Sequence, residues 1–407
     1  MVGEWRPSNW GDEVSLEYGK AIRGYSPTHG KYRVFGSNGP IGWTSEALAQ
    51  GPGVILGRKG AYRGVKYWPE PFWVIDTAYY LVPKTELDMR WLYYAVQHYK
   101  LGEVDDGSPI PSTTRAAVYM LELEVPPEPE QRAITHILGT LDDKIELNRR
   151  RNQTLEAMAR ALFKDWFVDF GPVRAKMEGR DPYLSADIWS LFPDRLDEDG
   201  KPEGWEMVPA SRLINFNPTE PLRRGTPAPY LDMASLPTSG SWPEPPIMRG
   251  FGSGMRFRNG DTLIARITPC LQNGKTALVQ CLPDDTVGWG STEYIVMRPK
   301  APIPAGYAYL LARDDTFREH AIRSMTGTSG RQRAQGDSVA AFKLASPLGE
   351  NLWHAFARQL APIFESIKSN ARASETLSAL RDTLLPKLIS GELRVKDAER
   401  FQEGANA

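Results

Sequence analysis

The run ITHILGTLDDKIELNRRRNQTLEAMARALFKDW, residues 134–166, decides the fold. Its seam is Ile134, Leu138, Leu141, Ile145, Asn148, Asn152, Leu155, Ala159, Leu162 and Trp166, in steps that alternate four and three. That is the a/d pattern of a coiled-coil helix, sustained for more than four heptads. Adding 222 to each position gives Phe356, Leu360, Ile363, Ile367, Asn370, Ser374, Leu377, Arg381, Leu384 and Leu388, a second seam apolar at seven of its ten positions. Any two amphipathic helices align at some shift, but these two also turn polar at the same place. A shared polar break in mid-seam marks an internal repeat.

The segments ahead of the two helices correspond as well. Gly53-Val54-Ile55-Leu56-Gly57-Arg58 aligns with Asp261-Thr262-Leu263-Ile264-Ala265-Arg266. Pro83-Lys84 and Pro299-Lys300 each end an apolar run, and Gly107-Ser108 and Gly327-Thr328 each open a polar loop. Val125-Pro126-Pro127 and Ala345-Ser346-Pro347 then lead into the helices. The order is domain, helix, domain, helix.

Each domain reads as mostly β. Strands are expected at Tyr32–Phe35, Gly53–Leu56 and Phe72–Leu81, and at Thr262–Ile267, Ala277–Val279 and Glu293–Met297. Short helices are expected at Met89–Tyr99 and Ala305–Ile322. The fold class is therefore α+β: two mostly-β domains joined by two long helices that pair as an antiparallel coiled coil about a pseudo-two-fold axis. The expected boundaries are 1–129, helix 130–170, connector 171–203, 204–348, helix 349–393 and a polar tail 394–407. A helix of about 35 residues would be a rod of roughly 50 Å. Asn148, Asn152, Asn370 and Ser374 are candidates for fixing its register; facing solvent or a partner is the other reading.

Composition bounds the chemistry. Two cysteines, Cys270 and Cys281, make no disulfide framework and match no zinc spacing, which favours a reducing cytoplasm. No signal peptide opens the chain and no apolar run is long enough for a membrane span. The net charge of −1 argues mildly against a nucleic-acid binder, but residues 201–345 carry 17 Lys+Arg against 13 Asp+Glu, so a basic face can hide in the total. There is no Walker loop, no H-E-x-x-H and no Gly-x-Ser-x-Gly elbow. His29, His98, His136, His320 and His354 are scattered. Asn217-Pro218 lacks the second proline and aromatic of an amino-methyltransferase motif and reads as a turn. Neither a cofactor nor a metal is expected.

Gly107-Ser108-Pro109-Ile110-Pro111-Ser112-Thr113-Thr114-Arg115, running into Val125-Pro126-Pro127-Glu128-Pro129-Glu130-Gln131, resembles the specificity subunits of Type I restriction–modification systems. Gly36–Gly42, Gly57–Tyr62 and Leu384–Leu393 carry the same resemblance, which spans nearly the whole chain. It implies two target-recognition domains, each reading half of a split double-stranded DNA sequence, with the helices setting the gap. It implies a non-catalytic chain whose partners are methyltransferase subunits, two of them, and restriction/translocase subunits. A protein-only coiled-coil scaffold and a stand-alone methyltransferase or nuclease are the alternatives. The second domain, with its Pro-rich Gly240–Pro246 loop, matches the first poorly, as reading an unlike half-site would require.

Base edges are read by Arg, Asn and Gln, and phosphates by Lys, Arg, hydroxyls and backbone N–H groups. The loops supply candidates for DNA contact in the first domain: Ser37, Asn38, Arg58, Lys59, Arg63, Lys66, Ser112, Thr113, Thr114 and Arg115. In the second domain they are Arg266, Gln272, Asn273, Lys275, Thr328, Ser329, Arg331, Gln332 and Arg333. The apolar helix ends, Phe163, Trp166 and Phe167 with Leu384, Leu385, Leu388 and Ile389, are wider than one seam. They would dock either the methyltransferase subunits or the chain's own domains.

Overall fold

Two 40-residue helices, Glu128–Phe167 and Glu350–Ile389, form where the heptads place them. Glu128 and Glu130 in the first turn of one, and Lys164 and Lys387 in the last turns of both, suit the helix dipole. The fold is a computed structural model describing residues 4–105, 107, 111–328 and 330–395. It divides into two compact units, each discontinuous in sequence. The first runs to Glu146 and takes in the chain from Glu375 onward; the second is Leu147–Ser374. The long helices are thus not domains of their own, because half of each completes the core of one unit.

In the first unit a central strand, Gly53–Gly57, lies between antiparallel neighbours Ala78–Pro83 and Val65–Trp68, with Val14–Tyr18 at the edge. A second sheet centres on Tyr32–Gly36, paired antiparallel to Gly39–Thr44 and parallel to Phe72–Val74. Arg6–Asn9 and Glu122–Val125 close the unit as a two-stranded ribbon. The second unit repeats this order. Thr262–Ala265 lies between Tyr294–Pro299 and Thr276–Leu278, with Ile214–Phe216 at the edge. Pro227–Leu231 pairs antiparallel with Ile247–Gly250 and parallel with Gly288–Gly290, and Met255–Phe257 is an added strand. Glu206–Pro209 and Lys343–Ser346 form the ribbon.

Two expected elements are broken, each by local chemistry. Phe72–Leu81 is two strands, Phe72–Val74 and Ala78–Pro83, because the chain turns through Ile75–Thr77, where Ala78 N–H meets the Ile75 carbonyl at 3.1 Å. Ala305–Ile322 is two helices, Ala305–Arg313 and Asp315–Arg323, because Asp314 is extended and its carboxylate caps Thr316 and Phe317 N–H. Asn217 takes φ +50, and its side-chain oxygen accepts Val296 N–H at 2.9 Å, so Asn217-Pro218 is structural.

The core of the first unit joins Trp10, Leu56, Trp91 and Leu92 to Ile134 and Leu138 of the first helix and Leu388 and Ile389 of the second. That of the second unit joins Tyr307, Leu310 and Phe317 to Trp166, Phe167, Phe356 and Leu360. Helix pairing is antiparallel. In the first unit Arg381 meets Asp142 at 2.8 Å, and Tyr94 donates to the other Asp142 oxygen at 2.7 Å. In the second unit the polar break is a hydrogen-bonded quartet. Asn148 Nδ2 donates to the Asn370 carbonyl (3.3 Å) and to Ser374 Oγ (3.2 Å), Asn370 Nδ2 to Asn152 Oδ1 (2.9 Å), and Asn152 Nδ2 to the Ile367 carbonyl (3.2 Å).

Candidate nucleic-acid interface

In both units the polar loops emerge at one end of the central strand. Arg58 is the first residue past Gly53–Gly57 and Arg266 the first past Thr262–Ala265. Arg58 N–H meets the Thr77 carbonyl at 3.0 Å and its carbonyl accepts Thr113 N–H at 2.9 Å. Arg266 N–H meets the Glu293 carbonyl at 2.9 Å and its carbonyl accepts Ala334 N–H at 2.7 Å. Lys59 bridges to Ser112 as Ile267 does to Arg333. The two loop clusters are therefore built on one backbone plan with different side chains.

In the first unit the turn Gly36–Gly39 joins the cluster. Ser37 Oγ accepts Lys59 N–H (3.1 Å) and donates to the Thr77 carbonyl (2.8 Å). A Cβ on Gly57 would lie 2.1 Å from the Ser37 carbonyl oxygen, so this approach needs glycine. Arg58 donates from Nη1 to the Asp76 carbonyl (2.9 Å) and lies over the Tyr18 ring at 5.0 Å. Arg115 lies over the same ring at 4.2 Å and donates from Nε to the Leu16 carbonyl (2.6 Å), with Glu17 at 3.7 Å. Burial, and then the hydrogen bond with Tyr18, push the Tyr79 phenol up to about 12, so it stays protonated and donates to the Thr113 carbonyl at 3.3 Å. Asn38, Lys59 and Lys66 are exposed.

Three candidates are held by the fold. Arg63 spends its guanidinium on the carbonyls of Gly102 (2.7 Å), Gly60 (3.1 Å) and Val104 (3.4 Å). Thr113 is buried, with Oγ1 on the Val104 carbonyl at 3.0 Å. Thr114 caps the helix Arg115–Tyr119 through Ala117 N–H. Ser112 is half-buried, and its N–H meets Asp105 at 3.3 Å.

In the second unit Arg333 grips Glu293 with Nε at 2.9 Å from both oxygens and Nη2 at 2.8 Å. That hydrogen bond, then the carboxylate's charge, raises the guanidinium pKa further above its ordinary value. Arg266 Nε lies 4.0 Å from the same carboxylate. Thr268 N–H meets the Gln332 carbonyl (3.0 Å) and Thr326 pairs with Arg333, which shapes the loop. Gln272, Asn273, Thr328 and Arg331 are exposed and Gln332 is half-buried. Lys275 is held by the fold, with Nζ on the Met233 (2.6 Å) and Ala234 (3.2 Å) carbonyls. Ser329 lies outside the described residues, as do Ser108, Pro109 and Ile110. Sequence reasoning missed Tyr18 and Glu293. Nothing in the sequence marked either one: Glu293 stands just before a strand as Asp261 also does.

Of the two readings of the apolar helix ends, packing against the chain's own domains accounts for their burial. Phe163, Trp166 and Phe167 are buried in the second unit's own core, where Phe167 stacks on Trp353 at 4.9 Å and Trp166 meets Phe192 at 5.2 Å. Leu388 and Ile389 are buried in the first unit's core, with Leu384 and Leu385 packed against it. Their width serves the chain's own domains.

Among the described residues no group of three His, Cys, Asp or Glu could hold a metal. Among the described residues no helix is long and apolar enough to cross a membrane.

Paired loop clusters on repeated β-scaffolds, joined through long paired helices, define a class that other proteins share. Residues 18–157 match the Type I restriction modification DNA specificity domain. The chain is 26% identical over 346 residues to the Type I restriction enzyme HindI specificity subunit of Haemophilus influenzae, covering 73% of this chain and 74% of that protein. It is 24% identical over 340 residues to the MjaIX specificity subunit of Methanocaldococcus jannaschii, covering 78% and 72%. The crystal structure of the Type I restriction–modification S subunit from M. genitalium has the same fold, with a TM-score of 0.58, 17% identity and coverage of 95% and 96%. Over most of its length the chain is thus similar to specificity subunits of Type I restriction–modification systems, and residues 18–157 match the family's DNA specificity domain.

Proposed function

We propose that this chain is the non-catalytic subunit that gives a cytoplasmic Type I restriction–modification complex its DNA sequence. The domains 1–129 and 204–348 each read one half of a bipartite site, and the paired helices set the gap. The chain directs methyltransferase subunits, two per chain, and restriction/translocase subunits to that site. One observation carries the reading: equivalent loop clusters, around Arg58 and Arg266, stand at the same end of equivalent sheets but carry different side chains. Within the first cluster, Ser37, Asn38, Arg58, Lys59, Lys66, Ser112 and Arg115 remain the candidates for DNA contact. Within the second they are Arg266, Gln272, Asn273, Thr328, Arg331, Gln332 and Arg333. Ser329 belongs to the same proposed loop. The Asn148, Asn152, Asn370 and Ser374 quartet fixes the register of the helix pair.

Mapping methylated positions in a genome that carries the system tests this directly. A split motif is expected; a continuous one would contradict the reading. In the assembled enzyme, Arg331→Ala with Arg333→Ala should weaken specific binding by at least tenfold, at about 1–3 kcal/mol per good arginine contact. Unchanged affinity and unchanged specificity in a gel shift would remove the Gly327–Arg333 loop from the interface.

A further inference from the structure

Each loop cluster holds two arginines side by side, and the two pairs are gripped by unlike groups. In the first unit Arg58 and Arg115 both lie over the ring of Tyr18, at 5.0 and 4.2 Å. In the second unit Arg266 and Arg333 share the carboxylate of Glu293, at 4.0 and 2.8 Å. Only Arg58 and Arg266 are equivalent in the backbone plan. The second member comes from a different place each time: Arg115 opens a short helix, whereas Arg333 sits on the loop strand that bridges to Ile267. Thr77, whose carbonyl does for Arg58 what that of Glu293 does for Arg266, brings no acid, so the aromatic ring takes over.

These grips leave the arginines usable. A guanidinium has five N–H donors in a rigid fork. Arg58 commits Nη1 to the Asp76 carbonyl and Arg115 commits Nε to the Leu16 carbonyl, while both guanidiniums lie over the Tyr18 ring. Arg333 turns Nε and Nη2 to Glu293 and one Nη1 bond to the Arg331 carbonyl. Its side chain is still 41% exposed, and that of Arg115 35%. An arginine whose rotamer is already fixed loses little entropy on contact, and a fixed fork matches the O6 and N7 acceptors of guanine.

We infer that Tyr18 and Glu293 are positioning residues, each aiming one arginine pair at guanine in one half of the bipartite site. The inference rests on the DNA-reading function proposed above. It assigns guanine recognition to both halves through brackets that are not interchangeable.

The test uses the full chain assembled with its methyltransferase subunits and a DNA library randomised one position at a time around the wild-type motif. Wild type must show guanine, on either strand, in each half; a half-site without it overturns the inference while leaving the DNA-reading function intact. Glu293→Ala should lower guanine preference tenfold or more in one half only, and Tyr18→Leu in the other half only. Tyr18→Phe, which keeps the ring face, should retain the preference. Loss spread equally over both halves, or no loss in either, overturns the positioning role. Arg58→Lys and Arg266→Lys guard against a misfolded variant, since each keeps its charge and loses the fork. Each should lose guanine preference in its own half with an unchanged salt slope, and retained preference again overturns the inference. A wild-type complex with no split motif would instead remove the proposed function itself.

Discussion

Basic residues close together in sequence do opposite things here, and burial decides which. Arg63 holds three carbonyls, whereas Lys59, four residues earlier, is exposed at the loop end. Charged hydrogen bonds contribute about 1.5–3 kcal/mol each when their acceptors would otherwise lose a partner. Arg63→Ala should therefore lower the unfolding midpoint of the chain in denaturant and leave the salt slope of DNA binding alone. Lys59→Ala should leave the midpoint alone and reduce the slope by about one. The reverse pattern would exchange their roles. Both were read from sequence as equal DNA candidates, because residue type and loop position were legible and the carbonyls of Gly102 and Val104, about forty residues away, were not. Acidic residues show the same dependence on distant partners. Burial would raise the carboxyls of Glu13 and Glu130. Ser8, Thr85 and Arg6 outweigh it at Glu13, and Arg394, Trp5 and Val395 at Glu130, so both lie below the usual carboxylate range. A depressed carboxylate stabilises the fold above its unfolded pKa and loses that contribution as pH falls through the folded value. Stability of the chain should drop from about pH 4.5 downward, and Glu130→Gln should flatten part of that drop in a pH series of melting curves.

At the scale of elements, periodicity was the most legible signal. The long helices begin within two residues of the positions expected from the heptads, 130 and 349, and end a few residues short of 170 and 393. Strands Gly53–Gly57 and Tyr294–Pro299 were visible through the apolar runs Val54–Leu56 and Tyr294–Met297. Short strands such as Gly39–Thr44 and Gly288–Gly290 were not, because glycine and proline interrupt any alternation and pairing alone makes them strands. Trp166 shows where a helical pattern misleads: a face too wide for one seam cannot say whose surface fills it. With Trp166 buried beside Phe192 and Phe356, Trp166→Ala should cost about 3–5 kcal/mol by chemical denaturation. Loss of methyltransferase binding without any loss of stability would contradict that placement. The polar quartet gives a second expectation. Asn148→Leu removes the donor to Ser374 Oγ and one donor to the Asn370 carbonyl, which keeps the Ser374 hydroxyl at 2.8 Å, costing about 1–3 kcal/mol. If register is its main use, the variant should also show alternative helix pairings by cysteine cross-linking across the seam, which the wild type lacks.

The whole molecule turns on one architectural fact: both compact units are completed by the same two helices. The division falls between Glu146 and Leu147 in the first and between Ser374 and Glu375 in the second, next to the Asn148–Ser374 contact. An insertion at that level leaves the core of each unit untouched, since Ile134, Leu138, Leu388 and Ile389 stay with one and Trp166, Phe356 and Leu360 with the other. One heptad added to each helix there keeps the seam in phase and lengthens the pair by about 10 Å. At about 3.4 Å per base pair, the methylated motif should keep both half-sites and gain roughly three base pairs between them. Genome-wide methylation mapping of the variant reads both quantities together. An unchanged gap would separate the helices from spacing, and altered half-sites would mean that the loop clusters depend on the helix level at which they were interrupted. The sequence repeat made this experiment conceivable, because it located two equal helices with a common polar centre. Only the folded chain shows that the cut at this centre parts one core from the other, so that the insertion tests spacing and base recognition separately.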